Sequence, residues 1–256
     1  MGEHVRSQRD GNTVTITLCN PAKRNSLSLE VLRSLIDEFT AAGESNATGI
    51  ILAAEGPVFS AGHNFGEMKG ASFADAHELF TVCSSLMQMI HTVPQPVVAR
   101  VHALATAAGC QLVASCDLAV AARTASFAIP GGKGGLFCHT PLVAVARGLS
   151  RKQALEMAMT GDAITADTAL QWGFVNAVVD DAGLDAAVAD LLRRATRGSA
   201  WSKALGKRTF YDQINMAEPD AYSFASAVMA DAVTGDAAQE GISAFLEKRE
   251  PDFGGM

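Results

Sequence analysis

The chain has 256 residues, 48% of them apolar, with 20 basic residues against 27 acidic ones and a net charge of −7. That length suits one large domain or a domain with an appendage. The acidic balance and the scattered Lys and Arg exclude a phosphate-tracking surface, so no nucleic-acid partner is expected. The start, MGEHVRSQRDG, lacks the apolar core of a secretory signal. The most apolar run, 103–122, holds Gln111 and Asp117 and ends at Arg123, so no membrane partner is expected either. Cys19, Cys83, Cys110, Cys116 and Cys138 are odd in number and show no C-x-x-C spacing. They predict reduced thiols in a cytoplasmic compartment and no metal site.

Val14, Ile16 and Leu18 alternate with polar residues, as in a strand with one buried face. Ser28 predicts a helix cap ahead of Leu29, Leu32, Leu35, Ile36 and Phe39, with Gly43 ending the helix. GIILAAEG predicts a buried strand, FSAGHNFG a glycine-punctuated loop, Ser72 to His91 a helix, and PQPVVARV another strand. After AAGCQLVASCD (107–117) comes a third apolar strand, DLAVAA. Phe127 to Thr140 predicts a loop, and Thr140-Pro141 a helix start. Helices follow from Ser150 to Gly161 and from Thr165 to Gly173, then a strand in WGFVNAVVD. From Leu184 only helical periods remain. Strands alternating with helices predict an α/β fold with parallel strands. The predicted organisation is a core over 1–195 and a helical region over 196–256.

Four segments, in order across almost the full chain, carry a resemblance. They are FSAGHNFGEM (59–68), AAGCQLVASCD (107–117), ALEMAMTGDAITADTALQWGFVNAVV and EGISAFLEKREPDF. They resemble the FxAGxDxxEM loop, the GGGxELxxxCD segment, a helix pair and the C-terminal signature of the crotonase (enoyl-CoA hydratase/isomerase) superfamily. AAGCQLVASCD and the GLFCHTP segment resemble one particular branch of it. The resemblance implies a spiral of ββα repeats followed by trimerising helices, in a homotrimer or dimer of trimers. It implies acyl-CoA thioester substrates, with coenzyme A entering as part of the substrate and no permanently bound cofactor. It also implies two backbone N–H groups that stabilise an enolate-like oxyanion, here those of His63 and Ala108. Such fixed dipoles are often the largest catalytic contribution, costing about 3–4 kcal/mol when one is lost.

Family hydratases use two glutamates to position and deprotonate water. Their positions fall on Gln111 and Gly131. An amide orients water but cannot take its proton, and glycine does neither. The resemblance therefore implies weak or altered hydration. His139 stands where some relatives carry a catalytic Asp, and imidazole is a base near neutral pH. SAGH also resembles the loop of methylmalonyl-CoA decarboxylase, which makes His63 a side-chain candidate. For the coenzyme the candidates are Lys23, Arg24, Ala61, Phe245 and Lys248. Asn64 and Gly66 replace the family's Asp and Lys. Three readings stay open: an altered hydratase or isomerase, a decarboxylase-like or hydrolase-like enzyme using only the oxyanion hole, and a non-catalytic acyl-CoA-binding protein.

Overall fold

The computed structural model describes residues 4–254. Strands β1 (Val5–Asp10) and β2 (Thr13–Leu18) form an antiparallel hairpin that turns at Gly11, whose φ is +54°. Only Val5 of β1 is fully buried, which is why its sequence shows no alternation. Helix α1 (Leu29–Gly43) is capped by the Ser28 side chain, which accepts from the Val31 N–H. It buries Val31, Leu32, Leu35, Phe39 and Ala42. Gly43 is its last residue but not a left-handed cap; a Cβ there would lie 3.2 Å from Val93 Cγ1, so close packing sets the glycine.

Strand β3 (Gly49–Ala54) leads through the loop 55–64 to a short helix α2 (Phe65–Met68) and a long one, α3 (Phe73–Thr92). Ser72 and Asp75 close α3 with a reciprocal capping box. Then follow β4 (Val97–Val101), β5 (Ala105–Thr106), α4 (Ala108–Ser115), β6 (Leu118–Ala122) and β7 (Ser126–Ala128). A 3-10 turn over Pro130–Gly134 precedes α5 (His139–Gly148). This helix begins before the expected Thr140-Pro141: Cys138 takes the cap position, and Pro141 sits in the first turn, where no N–H needs an internal partner.

Helix α6 (Arg151–Thr160) ends at Gly161, and α7 (Ala166–Trp172) at Gly173, with φ of +61° and +81°. Strand β8 (Ile164–Thr165) lies between them, and β9 (Ala177–Val179) follows. The chain closes with α8 (Leu184–Ala195), α9 (Ala200–Gln213), α10 (Glu218–Thr234) and α11 (Asp236–Glu247).

The main sheet has the order β1-β2-β3-β4-β6-β9, parallel from β2 onward. Its strands alternate between two cores. Val97, Ala99 and Val101 face the large core with α1 and α3, whereas Val98 packs with Val120 and Ala122 beneath Leu184, Val188 and Leu192 of α8. Burial on both faces explains the continuous apolar runs of these strands. A small second sheet, β5-β7-β8, props α4.

Helices α9 and α10 contain no fully buried residue. Trp201, Met229, Val233, Ile242, Phe245 and Phe253 line an apolar groove of about 590 Å³ between α9, α10 and α11. Beyond α11, Arg249 grips Glu240 with both terminal nitrogens, at 2.5 and 2.9 Å, and the Asp252 N–H donates to the same carboxylate at 2.7 Å. This pins the last turn of chain back onto the helix.

Candidate active site

The loop 59–64 lies against the first turn of α4. Its backbone is tied on both sides. Thr106 N–H donates to the Ser60 carbonyl at 2.9 Å, Leu27 N–H to the Gly62 carbonyl at 2.8 Å, and Ala61 N–H to the Arg24 carbonyl at 3.0 Å. Ser60, fully buried, donates its hydroxyl to the Asn25 carbonyl at 2.8 Å. Asn25, at φ +49°, sends its amide to the carbonyls of Glu55 and Val58 at 2.7 and 3.0 Å. Sequence reasoning missed Asn25 and Ser60. Their signal was there: polar residues of small size beside the glycine loop, one of a type that tolerates the left-handed region.

Two glycines set the closeness of the contact. A Cβ on Gly62 would lie 3.1 Å from the Ala108 nitrogen, and one on Gly109 would lie 2.6 Å from the Ser60 carbonyl oxygen. Gly62 also has φ +83°. Ala107, at the helix cap, has φ +52° and ψ −120°, a region that alanine rarely visits. That turn starts α4 directly beside the loop, with the Ala108 nitrogen close to Gly62. Among the described residues, no hydrogen bond uses the N–H of His63 or of Ala108.

Three side-chain positions complete the corner. The Nδ1 of His63 lies 3.2 Å from the Leu27 carbonyl oxygen. A carbonyl only accepts, so the proton sits on Nδ1 and the lone pair on Nε2. Nε2 is buried and has no partner, and the ring meets Phe80 edge-on at 5.3 Å. Burial holds the imidazole below its ordinary pKa, opposed by the Leu27 carbonyl and the Glu67 charge, so it stays neutral. Gln111 is 3% exposed, and its Oε1 is buried without a partner. It lies three residues beyond Ala108, on the same face of α4. Gly131, the second residue of the 3-10 turn, stands differently. A Cβ there would sit 2.1 Å from the Leu136 carbonyl oxygen and 2.8 Å from Cys138 Sγ. The Gly131 N–H donates to that sulfur at 3.2 Å. The direction in which a side chain would project is already filled by chain.

The other candidates fall in separate places. His139 is the exposed first residue of α5, its ring 5.3 Å from Phe137. Lys23 and Arg24 are exposed on the 3-10 turn whose backbone holds Ala61. Phe245 is 83% exposed on α11, and Lys248 caps that helix in the left-handed region with φ +54°. On the single chain, His63 and Ala108 thus lie on the two facing segments, with Gln111 about one helical turn beyond Ala108 and Ala61, Lys23 and Arg24 on or beside the loop. Among the described residues no group of three metal-ligating side chains is present, and no helix is long and apolar enough to cross a membrane.

Residues 8–256 match the family model described as Enoyl-CoA hydratase/isomerase. The chain is 47% identical over 246 residues to rat "Enoyl-CoA hydratase domain-containing protein 3, mitochondrial", which covers 95% of this chain and 82% of that one. The human protein of the same name is 47% identical over 238 residues, covering 92% and 78%. A crystal structure of the human protein superposes with a TM-score of 0.94 at 43% identity, covering 98% of this chain and 100% of that chain. An enoyl-CoA hydratase structure from Mycobacterium smegmatis superposes with a TM-score of 0.95 at 42% identity, covering 98% and 99%. These relatives correct one expectation. Reduced thiols had predicted a cytoplasmic compartment, but the mammalian, fish and amphibian relatives at 44–47% identity all carry "mitochondrial" in their names. Cysteine number and spacing carry no information that distinguishes one reducing compartment from another.

Proposed function

We propose that this chain, which belongs to the enoyl-CoA hydratase/isomerase family, holds an acyl-CoA thioester with its carbonyl oxygen between the N–H groups of His63 and Ala108. The approach of Gly62 to Ala108 and the two unused N–H groups support this reading. When a proton leaves the α carbon, or a nucleophile adds at the β carbon, negative charge builds on that oxygen. Two fixed dipoles meet it without reorganising. No resident cofactor is needed, because the thioester itself accepts the electron pair.

Ordinary hydration is expected to be feeble. The observation that carries this is Gly131. Its side-chain direction is closed by the Leu136 carbonyl and Cys138 sulfur, so the second carboxylate is excluded by the backbone path as well as absent from the sequence. Gln111 keeps hydrogen-bonding power at the first position but has no proton-accepting range. The remaining base beside the two amides is His63, neutral, with its Nε2 lone pair free. His139, exposed at the start of α5, has less support as a replacement base.

That neutral, carboxylate-free corner favours a second reading. An acyl group bearing its own carboxylate would lose CO2 here. The C–C electron pair would pass into the thioester to give the enolate, and the α carbon would be reprotonated afterwards. A protein that only binds acyl-CoA is the third. In all three, Lys23, Arg24 and Ala61 would contact the nucleotide end. Phe245 and Lys248 would reach it from the 196–256 helical region of a neighbouring copy in a homotrimer or dimer of trimers, for which the exposed apolar faces of α9–α11 are support.

The test is paired: crotonyl-CoA turnover, and acyl-CoA binding by calorimetry in one buffer. Tight binding with slow or absent turnover is expected. Turnover near that of two-glutamate relatives would overturn the argument from Gln111 and Gly131. If turnover is slow, loss of CO2 from a malonyl-type thioester then separates the second reading from the third.

A further inference from the structure

We propose that the buried Asp117–Lys207 pair fixes the position of α4, which makes Lys207, on the C-terminal helical region, a positioning residue for the thioester corner. This rests on the oxyanion reading above. Asp117 follows the exit of α4. Its Oδ2 accepts from the Val97 N–H at 2.7 Å and from Lys207 Nζ at 2.7 Å, and its Oδ1 accepts from the Tyr211 hydroxyl at 2.8 Å. The same ammonium donates to the carbonyls of Ile90 and Gln95 at 2.8 and 2.9 Å. One lysine therefore joins the last turn of α3, the entrance of β4 and the exit of α4. The Tyr211 ring, in turn, stacks on His91 at 3.9 Å.

The pair is deeply placed: the Lys207 and Asp117 side chains are 10% and 15% exposed. Stability is a weak account of such a pair, because apolar side chains of similar shape often serve the fold as well or better. What it adds is direction. Three donors of one ammonium and both oxygens of one carboxylate are committed to named partners.

The other end of α4 shows why direction matters. Gly109 lies against Ser60 with no room for a methyl group, so the helix cannot advance toward the loop. Ala107 is held at φ +52° and ψ −120°. A residue persists in such a conformation only where its surroundings over-determine it. The helix has only eight residues, about 12 Å at 1.5 Å per residue, so a shift at one end is felt at the other. Ser60 is the stop at the amide end, and the Asp117–Lys207 pair is the stop at the far end. Lys207 belongs to α9, whose other face is largely exposed, so whatever moves α9 reaches the amide of Ala108.

The experiment uses a 2,4-dienoyl-CoA probe with the full-length protein. Polarisation of the conjugated thioester carbonyl by two N–H groups moves its absorption to longer wavelength. The informative variant combines Asp117→Asn with Lys207→Met. It is neutral and leaves an acceptor for Val97 or Tyr211. It is expected to fold, to melt within a few degrees of the wild type and to bind free CoA unchanged. Its absorption shift should be at least halved, and any turnover found for the wild type should fall about tenfold. A folded double variant with the full wild-type shift overturns the proposal. If the double variant does not fold, Asp117→Asn alone removes the ion pair while keeping the side chain's shape, and a full wild-type shift in that variant overturns it equally. A wild-type protein that binds the probe with no shift at all overturns the oxyanion reading and the positioning role together.

Discussion

The corner where Gly62 meets α4 and the turn from Gly131 to Cys138 both depart from the family pattern, with alanines for glycines in the first and glycine for glutamate in the second. On the proposed oxyanion reading, the first departure leaves the chemistry in place. The groups that matter there are backbone N–H donors, and Ala108 carries one as well as glycine does. On the proposed reading the second removes it, because only a side chain can take a proton, and the Leu136 carbonyl and Cys138 sulfur stand where a side chain at 131 would project. Function vested in backbone geometry survives side-chain change; function vested in a titratable group does not.

The comparison breaks most sharply at Gly109. Gly109→Ala places a methyl 2.6 Å from the Ser60 backbone carbonyl oxygen and 2.7 Å from Ser60 Cβ, neither of which a rotamer change can move away. A loss of about 3 kcal/mol of stability or more is expected, with acyl-CoA binding lost, measured by denaturant unfolding and calorimetry. A variant that keeps wild-type affinity would show that the loop and α4 need not touch.

Restoring the glutamates tests the other half. Gln111→Glu changes few atoms at a buried position on an intact helix, and burial would raise the new carboxyl into a useful acid–base range. Crotonyl-CoA hydration should rise roughly tenfold. Gly131→Glu should instead cost roughly 2–3 kcal/mol by overpacking and leave hydration unchanged. Equal gains from both would mean that the 131–138 turn is free to reopen.

A third effect separates burial from chemistry. His63 and His91 are both held below the ordinary histidine pKa, in each case mainly by burial. At His91 the Asp117 carboxylate and the Ser115 backbone oppose that shift, while Lys207 and Arg147 add to it. An unfolded chain takes up protons near pH 6.5, whereas the folded chain resists them until lower pH. Stability is therefore whole above that region and falls as pH drops below about 6.5, by up to about 1.4 kcal/mol per pH unit for each histidine. Chemical denaturation across pH 5 to 8 reads this directly. His63→Gln should flatten the slope, and an unchanged slope would assign the effect to His91.

Much of the frame was legible in the sequence because it depends on local signals. Ser28, Ser72, Ser150 and Thr165 all cap the helices they were expected to start, and Gly161 and Gly173 end theirs in the left-handed region. β1 was not legible, since a strand with one buried residue shows no period. Nor were the ties that make the corner. Asn25 reaches residues about 30 positions away, and Lys207 meets Asp117 across 90 positions. Such contacts are written in the fold, not in any window of sequence. The closed direction at Gly131 belongs to the same class: the sequence announced a missing carboxylate but not the carbonyl standing in its place.

The smallest effect concerns Ala107. A left-handed or similarly strained alanine costs roughly 1–2 kcal/mol relative to glycine. Ala107→Gly relieves that strain, but it also frees the unfolded chain, which returns about 0.4–1 kcal/mol. The net gain should be under about 1 kcal/mol, a rise of roughly 1–4 °C in Tm for a chain of this size. Acyl-CoA affinity should stay within about twofold, because the Ala108 N–H is untouched. The methyl group gives the change a second use. The Ala107 Cβ is the nearest atom to a side chain built on Gly62, at 2.8 Å, ahead of the Thr106 carbonyl at 3.0 Å. Removing it should make Gly62→Ala less damaging in the double variant than in the single one, although the φ of +83° at Gly62 keeps part of the penalty. Strict additivity of the two changes would mean that the backbone at Gly62, rather than the crowding between the two segments, sets the closeness on which the amide pair depends.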